Sequence, residues 1–412
     1  MTLTVDAVII GAGPAGLSAA VEIARTGLSA AVIDEYPYPG GRLLGQLFED
    51  PYAPEQDKVW DGKKLARRLE EEARNLNVKI FCGVTAWSAS GKWRIHLRGS
   101  SEKYIDAKAI LLATGAVERA VPLPGWTLPG VVSIGAAQVF TNVHRVSIGQ
   151  RVMVVGVDPL AISVALEMQR AGINVVGVAL PPVHPINSGL GLPIDGMRRL
   201  ASVSSLATSS FHRKMGPLAA GKLSKLAIHA LRFNLLHLEG IPIYLRKAVI
   251  AIKGTDVVEA VILQRVSING IPNGPSEHVA VDSVCLSGGL YPLVDFAQVV
   301  GCPLVRIPEL GGVVPLHGPD LSTPVDSLFV AGNIVGIESG KVAMAQGRLA
   351  GVAISRFLGK RTSLTLEEAE QNVQKTRDHS SFKFLPNIDI GNAKMNELWE
   401  SHSAISTFMS MS

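Results

Sequence analysis

Two strand–glycine turn–helix–strand units, at residues 5–35 and 151–179, and two later apolar segments at 110–115 and 327–336, predict an α/β protein. The arrangement they imply is two interleaved Rossmann-like folds followed by a short C-terminal helical tail. The second unit repeats the first and sits inside it. The expected boundaries are 1–120 for the first part of the outer fold, 121–282 for the inserted fold, 283–360 for the return of the outer fold and 361–412 for the tail.

The first unit reads VDAVIIGAGPAGLSAAVEIARTGLSAAVIDE. An apolar strand, Val5 to Ile10, enters the turn Gly11-Ala12-Gly13-Pro14-Ala15-Gly16. Leu17, Ala20, Val21 and Ala24 then follow helical spacing, Gly27 ends the helix, and a second strand runs from Ala30 to Asp34. In such a turn the first glycine permits the sharp bend, the second lets a pyrophosphate reach the backbone, and the third lets helix pack on strand. The phosphates would sit at the helix N-terminus, where free N–H groups favour anions. Asp34, 23 residues after Gly11, places a carboxylate for ribose hydroxyls, with Glu35 its solvated neighbour. A glycine triplet alone is weak; the strand, helix, second strand and terminal acid at the right spacing are its confirming context.

The inserted unit reads RVMVVGVDPLAISVALEMQRAGINVVGVA, and its turn is altered. Gly156 holds the first position, but Asp158 holds the second, where bulk and a like charge oppose a pyrophosphate. The second strand ends at Val178-Ala179-Leu180, with no acid for a ribose and no basic pair for a 2′-phosphate. NAD(P) is therefore not expected here, and Asp158 reads as a charge at the start of helix 159–170.

Composition removes other classes. Net charge is +4, from 39 basic and 35 acidic residues, and no stretch concentrates it, so no nucleic acid is expected. Cys82, Cys285 and Cys302 are scattered without a CxxC, which argues against a disulfide framework, a redox dithiol or a cysteine-held cluster. The ten histidines form no HxH or HxxxH pair, so no metal site is assigned; His317 is the one marked for inspection. No leader and no membrane-length apolar run is visible, so the expectation is a cytoplasmic protein with at most peripheral membrane contact.

Further segments complete the outer fold: Pro39-Gly40-Gly41-Arg42, ILLATG at 110–115, SLFVAGNIVG at 327–336 and AMAQGRLAG at 343–351. In this order they resemble the glutathione-reductase-like class of flavoproteins. The resemblance implies FAD, held by Gly11, Ala12, Gly13, Pro14, Ala15 and Gly16 in the turn and by Asp34 and Glu35 after it. It extends the site to Gly41, Arg42 and Gln46, to Val84, to Ala113, Thr114 and Gly115, and to Gly332, Asn333 and Ala343. Asn333 stands where that class carries Asp; it keeps a hydrogen bond for a ribityl hydroxyl and brings no charge. Arg42 and Gln46 are the side chains best placed to shape the flavin surroundings, and Lys341 is a candidate cation beside it.

The segment ATGAVERAVPLPGWTLPGVVSIGAAQ, Ala113 to Gln138, is similar to the FAD subunits of opine oxidase, hydrogen cyanide synthase and the heteromeric proline, hydroxyproline and sarcosine dehydrogenases or oxidases. SVCLSGGL at 283–290 and Gly311-Gly312-Val313-Val314-Pro315 agree, and the resemblance covers about residues 5–360. It implies an electron-handling subunit working with a second flavin subunit that oxidises a small amine or amino acid. Chains of this type often carry a cysteine-rich iron–sulfur segment near the C-terminus, and residues 361–412 contain no cysteine. A separate small iron–sulfur protein then supplies the cluster, or electrons leave by another route. No catalytic residue is assigned; the flavin does the redox work and the protein places it. A self-contained NAD(P)H-dependent flavin reductase and a flavin-bearing scaffold remain as alternatives, the first opposed by Asp158 and the missing dithiol.

Residues 213–238 read as a basic amphipathic helix suited to its own domain, a partner or a membrane surface, and Pro181 to Leu206 as loop. In the tail, Thr365-Leu366-Glu367-Glu368 starts a helix to Lys375, and a second short amphipathic piece surrounds Leu398 and Trp399. Phe382, Phe384 and Trp399 are expected to pack on the body or on another subunit.

Overall fold

A computed structural model describes residues 3–49, 58–185, 189–202, 236–380 and 383–411. Its first stretch runs β1 (Leu3–Ile10), α1 (Pro14–Arg25), β2 (Ala30–Asp34), β3 (Leu47–Glu49), β4 (Val59–Asp61), α2 (Gly62–Asn75), β5 (Lys79–Cys82), β6 (Thr85–Ser90), β7 (Arg94–Arg98) and β8 (Tyr104–Leu112). The middle stretch runs β9 (Ala116–Glu118), β10 (Val131–Ser133), α3 (Ile134–Gln138), β11 (Arg151–Val155), α4 (Pro159–Arg170), β12 (Asn174–Leu180), α5 (Pro193–Ser202), β13 (His237–Leu238), β14 (Ile241–Lys253), β15 (Ala260–Val266), β16 (Pro272–Ala280) and β17 (Ser283–Leu286). The last runs β18 (Leu290–Pro292), α6 (Asp295–Val299), β19 (Leu304–Ile307), β20 (Gly312–Pro315), β21 (Leu328–Val330), α7 (Gly340–Phe357), α8 (Leu366–Asp378) and α9 (Ile388–Met411). The chain divides into two compact units. One is Met1–Leu44, Gly62–Val117 and Leu290–Ser412; the other is Gly45–Asp61 and Glu118–Gly289.

The first unit is built on a sheet ordered β5-β2-β1-β8-β7-β6, with β21 also beside β8. β1 runs parallel to β2 (Val8 opposite Ala31) and to β8 (Val8 opposite Ile110), and β21 joins β8 in parallel at Phe329 and Leu111. Toward the turn these central strands are continuously apolar, Ala7–Ile10 in β1 and Ala109–Leu112 in β8, because both faces are covered there. Val8, Ile9, Ile110, Leu111 and Val330 are all buried. Helices α1 and α7 approach so closely that a Cβ on Gly347 would stand 2.1 Å from the Ala15 carbonyl oxygen.

The second unit carries a sheet ordered β10-β17-β11-β12-β14-β15-β16. Strand periodicity divides β11 between two cores. Val152 and Val154 join α4 residues such as Ala161 and Ala165, while Met153 and Val155 join Val249, Val261 and Leu263 from the other face.

The tail is helical, as expected. Thr365 caps α8 in a full capping box with Glu368. The piece around Trp399 is not short: α9 has 24 residues. Ile388 and Met395 are buried and Trp399 packs with them against Leu310, Val314 and Leu316 of the first unit. Gly318 has room only for hydrogen, since a Cβ there would meet the Trp399 ring at 2.7 Å. Phe384 is half-buried, and Phe382 lies outside the described residues.

The loop expected over 181–206 requires correction, because α5 forms within it. Pro193 starts this helix, where a missing N–H costs nothing, and Met197 turns into the core. The basic helix expected over 213–238 lies outside the described residues apart from its end, where His237–Leu238 forms β13.

Candidate functional site

The three glycines of the first unit's turn stand in different surroundings. Gly11 sits at φ +109, and a Cβ on it would lie 2.3 Å from the Ala113 carbonyl oxygen. Its N–H donates to Ile33 O at 2.8 Å, while Ala113 N–H donates to Ile10 O at 2.8 Å, so three strand ends meet at this residue. Gly16 is equally constrained, since its Cβ would stand 1.9 Å from Gly11 O. Gly13 is different. It is the N-cap of α1, no side chain caps that end, and a Cβ on it would meet nothing within 4 Å. Pro14 follows as the first helical residue and Ala15 is buried behind it. The helix start is thus an open set of N–H donors in a sharply held turn, the form that binds phosphate.

Asp34 ends β2 with its carboxylate tied to this turn. Oδ2 accepts from Ala12 N at 2.6 Å and Oδ1 from Tyr36 N at 2.8 Å. Two oxygens offer about four lone-pair sites, so room remains for ribose hydroxyls. Burial raises the Asp34 pKa above the usual carboxylate value, and the exposed Glu35 adds to this, against the two backbone hydrogen bonds. Val84 is buried beside it, its N–H donating to Asp34 O at 3.0 Å.

The Gly40-Gly41 loop folds back on the turn. Gly40 N–H donates to Ala12 O at 2.8 Å, and a Cβ on Gly41 would lie 3.0 Å from Gly13 Cα. Arg42 points both Nε and Nη2 at Ala116 O, at 3.4 Å each. Thr114 donates to Leu293 O at 2.6 Å, and Gly115 O accepts from Leu293 N at 3.0 Å, fixing the end of β8. Gln46 belongs to the second unit, where its Oε1 accepts from Trp60 Nε1 at 3.0 Å.

The return strand brings Gly332 to the turn: its Cβ would meet Ala15 Cβ at 2.8 Å and Ala343 Cβ at 3.9 Å. Asn333 Oδ1 accepts from Glu338 N at 3.2 Å and so closes the 333–338 loop. Sequence reading missed what holds this loop. Gln346 is buried; its Oε1 accepts from Gly332 N at 3.0 Å and its Nε2 donates to Glu338 Oε2 at 3.1 Å. Arg377 of α8 then clasps Glu338 with two nitrogens. Gln346 lies inside the quoted 343–351 segment, where a buried amide among Ala, Met and Gly was the available signal. His317, marked for inspection, is buried with Nδ1 on Gly318 O at 2.9 Å, and burial first, then Arg377, pulls its pKa down to about 4. It is a neutral structural histidine.

The three thiols are unpaired, and burial pushes Cys82 and Cys302 up to about 11 and raises Cys285 as well. Such thiols stay protonated near neutrality and are poor nucleophiles. Among the described residues no group of three acidic, cysteine or histidine side chains is arranged to hold a metal, and no helix is long and apolar enough to cross a membrane.

The second unit repeats the first turn and then departs from it. Gly156, at φ +134, donates to Ala179 O at 2.8 Å, and its Cβ would lie 2.3 Å from Ser287 O. At the position of Gly13, however, Asp158 caps α4: Oδ1 accepts from Ala161 N at 3.0 Å and Oδ2 from Ser287 Oγ at 2.6 Å. This carboxylate is buried at the helix start, as the reading of Asp158 as a helix-end charge expects.

Comparison with known proteins agrees with the family resemblance of the sequence. Residues 5–185 match the family described as pyridine nucleotide-disulphide oxidoreductase. The A subunit of opine oxidase from Agrobacterium tumefaciens (strain Ach5) is 30% identical over 365 residues, covering 84% of this chain and 65% of that protein. Hydrogen cyanide synthase subunit HcnB of Pseudomonas protegens is 25% identical, covering 90% of this chain and 74% of that one. The chain therefore spans less than two thirds of the first relative's length. Among solved structures, L-proline dehydrogenase from P. horikoshii shares the fold, with a TM-score of 0.63 and 22% identity over 92% of this chain and 59% of that chain. Residues 5–185 thus carry the pyridine nucleotide-disulphide oxidoreductase signature, and over most of its length the chain is similar to the opine oxidase A subunit and to hydrogen cyanide synthase subunit HcnB.

Proposed function

We propose that the chain is a FAD-dependent oxidoreductase and the electron-handling subunit of a heteromeric enzyme that oxidises an amino or imino acid of the opine, proline or sarcosine type. One observation carries the cofactor assignment. The α1 N-terminus is uncapped and open at Gly13, with Gly41 against it and the Asp34 carboxylate beside it. These residues fit a dinucleotide: the turn takes the pyrophosphate, Asp34 the adenosine ribose, and the loop around Gly332 and Asn333 the ribityl side. Bound there, FAD supplies the redox chemistry that no side-chain constellation in this chain provides. The chain's own residues hold and orient it, and Gln346 fixes the Gly332 backbone that faces Ala15.

The heteromeric reading is supported by the relatives, two of which are named as subunits. It predicts a second flavin subunit that holds the substrate. NAD(P) is excluded from the proposal because Asp158 occupies the equivalent helix start in the second unit. The test is identification of the nucleotide released by acid from purified protein, alone and after co-expression with the second subunit. FAD at one per chain is the expected result, together with turnover of an N-substituted amino acid and co-purification of the partner. Release of no flavin would end the cofactor reading. Turnover by the chain alone, without a partner, would end the subunit reading.

A further inference from the structure

Open α/β sheets take their ligands in the crevice outside the carboxyl ends of their strands. In this chain that crevice is filled from within. Helix α5 follows β12 and lies against the strand ends: a Cβ on its Gly196 would stand 3.0 Å from Leu180 Cδ2 at the end of β12 and 3.8 Å from Val157 Cβ in the glycine turn. The approach to α5 is equally close. A Cβ on Gly191 would meet Pro181 O and Val183 N, both at 2.8 Å, so backbone packs directly on backbone where the chain leaves the strand.

One side chain locks the arrangement. Arg199 of α5 donates through Nε to Val157 O at 2.8 Å and through Nη2 to Leu190 O at 3.0 Å. It therefore joins the turn, the approach loop and the helix. Its guanidinium is largely withdrawn from water, which lowers its pKa, while Asp158 and Asp195 oppose this. A guanidinium stays charged in proteins. The guanidinium is thus held beside the turn on the Val157 carbonyl, while the Asp158 carboxylate takes the α4 N–H at Ala161 and the Ser287 hydroxyl.

We propose that Asp158 and Arg199 are the specificity pair that closes the second fold to dinucleotides. The Asp158 carboxylate replaces the pyrophosphate at the α4 N-terminus, and α5, pinned by Arg199, replaces the adenosine over β11 and β12. An incoming phosphate would have to displace a capping carboxylate and face its charge. The inference rests on the reading of the first fold as the FAD site, and it explains why one chain keeps two such turns and opens only one.

The test uses the flavin-containing protein, with ADP-ribose and NADH as probes in isothermal titration calorimetry and flavin absorbance followed separately. Asp158→Gly restores the ordinary turn; Asp158→Ser keeps a helix cap without the charge; Arg199→Ala releases α5. The wild type is expected to bind neither probe at millimolar concentration. Asp158→Gly combined with Arg199→Ala is expected to bind ADP-ribose at least tenfold more tightly, and Asp158→Ser to follow in the same direction while retaining the wild-type melting profile. Submillimolar binding by the wild type would overturn the proposal. So would folded variants that bind no better than wild type, because another element would then close the fold. Absence of flavin from the wild type is a different failure: it removes the first-fold reading, and a Gly13→Leu background then keeps the probes' report confined to the second fold.

Discussion

Arg377 places Nε 2.8 Å from Glu338 Oε1 and Nη2 3.0 Å from Oε2, a two-pronged clasp between α8 and the loop that precedes α7. Both side chains are mostly out of water, at 17% and 8% exposure. The clasp continues inward through Gln346 to the Gly332 backbone and through Glu338 N–H to Asn333. A tail helix therefore supports the return loop of the proposed flavin site. Arg377→Ala should destabilise the first unit by about 2 kcal/mol, since it strands a carboxylate that water reaches poorly. It should also speed FAD loss. Arg377→Lys should recover only part of both, because an ammonium lacks the planar fork. Urea unfolding and flavin dissociation rates check this; an unchanged dissociation rate in the alanine variant would detach the clasp from the site.

The glycines of the first turn separate by role. Gly16→Ala should cost about 3 kcal/mol, as its Cβ has no place beside Gly11 O. Gly13→Ala meets open space at an ordinary backbone angle, so stability should change by only about 0.5 kcal/mol. FAD affinity should nevertheless fall at least tenfold, because the methyl group stands where the pyrophosphate approaches. Thermal melts of the apoprotein, paired with flavin titration, distinguish the two. Equal FAD affinity in Gly13→Ala would contradict the phosphate placement.

Two buried titratable groups give the units opposite pH responses. His317 titrates near 4 in the folded chain and near 6.5 when unfolded. The unfolded chain takes up a proton first, so the stability this group contributes is full above pH 6.5 and is lost as pH falls toward 4, by about 3 kcal/mol. Glu167 of α4 accepts from Gln138, Asn142 and Ser163, yet burial still raises it from 4.5 to about 7. The folded chain holds that proton longer, so its contribution is full below pH 4.5 and is lost as pH rises through 7, by about 3 kcal/mol. Hydrogen exchange between pH 5 and pH 8 should show α9 and its neighbours gaining protection while α4 loses it. His317→Gln and Glu167→Gln should each flatten the response of their own unit alone.

The parts of this architecture legible in the sequence were local ones. Gly11, Gly13, Gly16 and Asp34 announce a strand–turn–helix–strand unit because each lies within a few dozen residues of the others and backbone sterics leave few substitutes. Asp158 was legible as a helix-end charge for the same reason, since an N-cap bonds three residues ahead. Its second partner, Ser287, lies 129 residues away and carries no pattern of its own. Glu338 and Arg377 look like ordinary surface charges until folding places them together. Helix α5 reads as loop in the sequence because Pro, Gly and Ser surround it, although Pro193 marks its start and burial of Met197 with the Arg199–Val157 hydrogen bond decides its fate. The length of α9 is hard to read from sequence because its buried apolar side chains Ile388 and Met395 are spaced seven apart in a largely polar stretch.

The most direct test of the central claim is an anaerobic titration of the flavin-containing protein with NADH and then NADPH, followed by flavin absorbance. An open first fold and a closed second fold predict that the flavin stays oxidised with both. It should then bleach on addition of the amino-acid substrate together with the second subunit. Prompt stoichiometric bleaching by either pyridine nucleotide alone would contradict the account and make the chain a self-sufficient reductase.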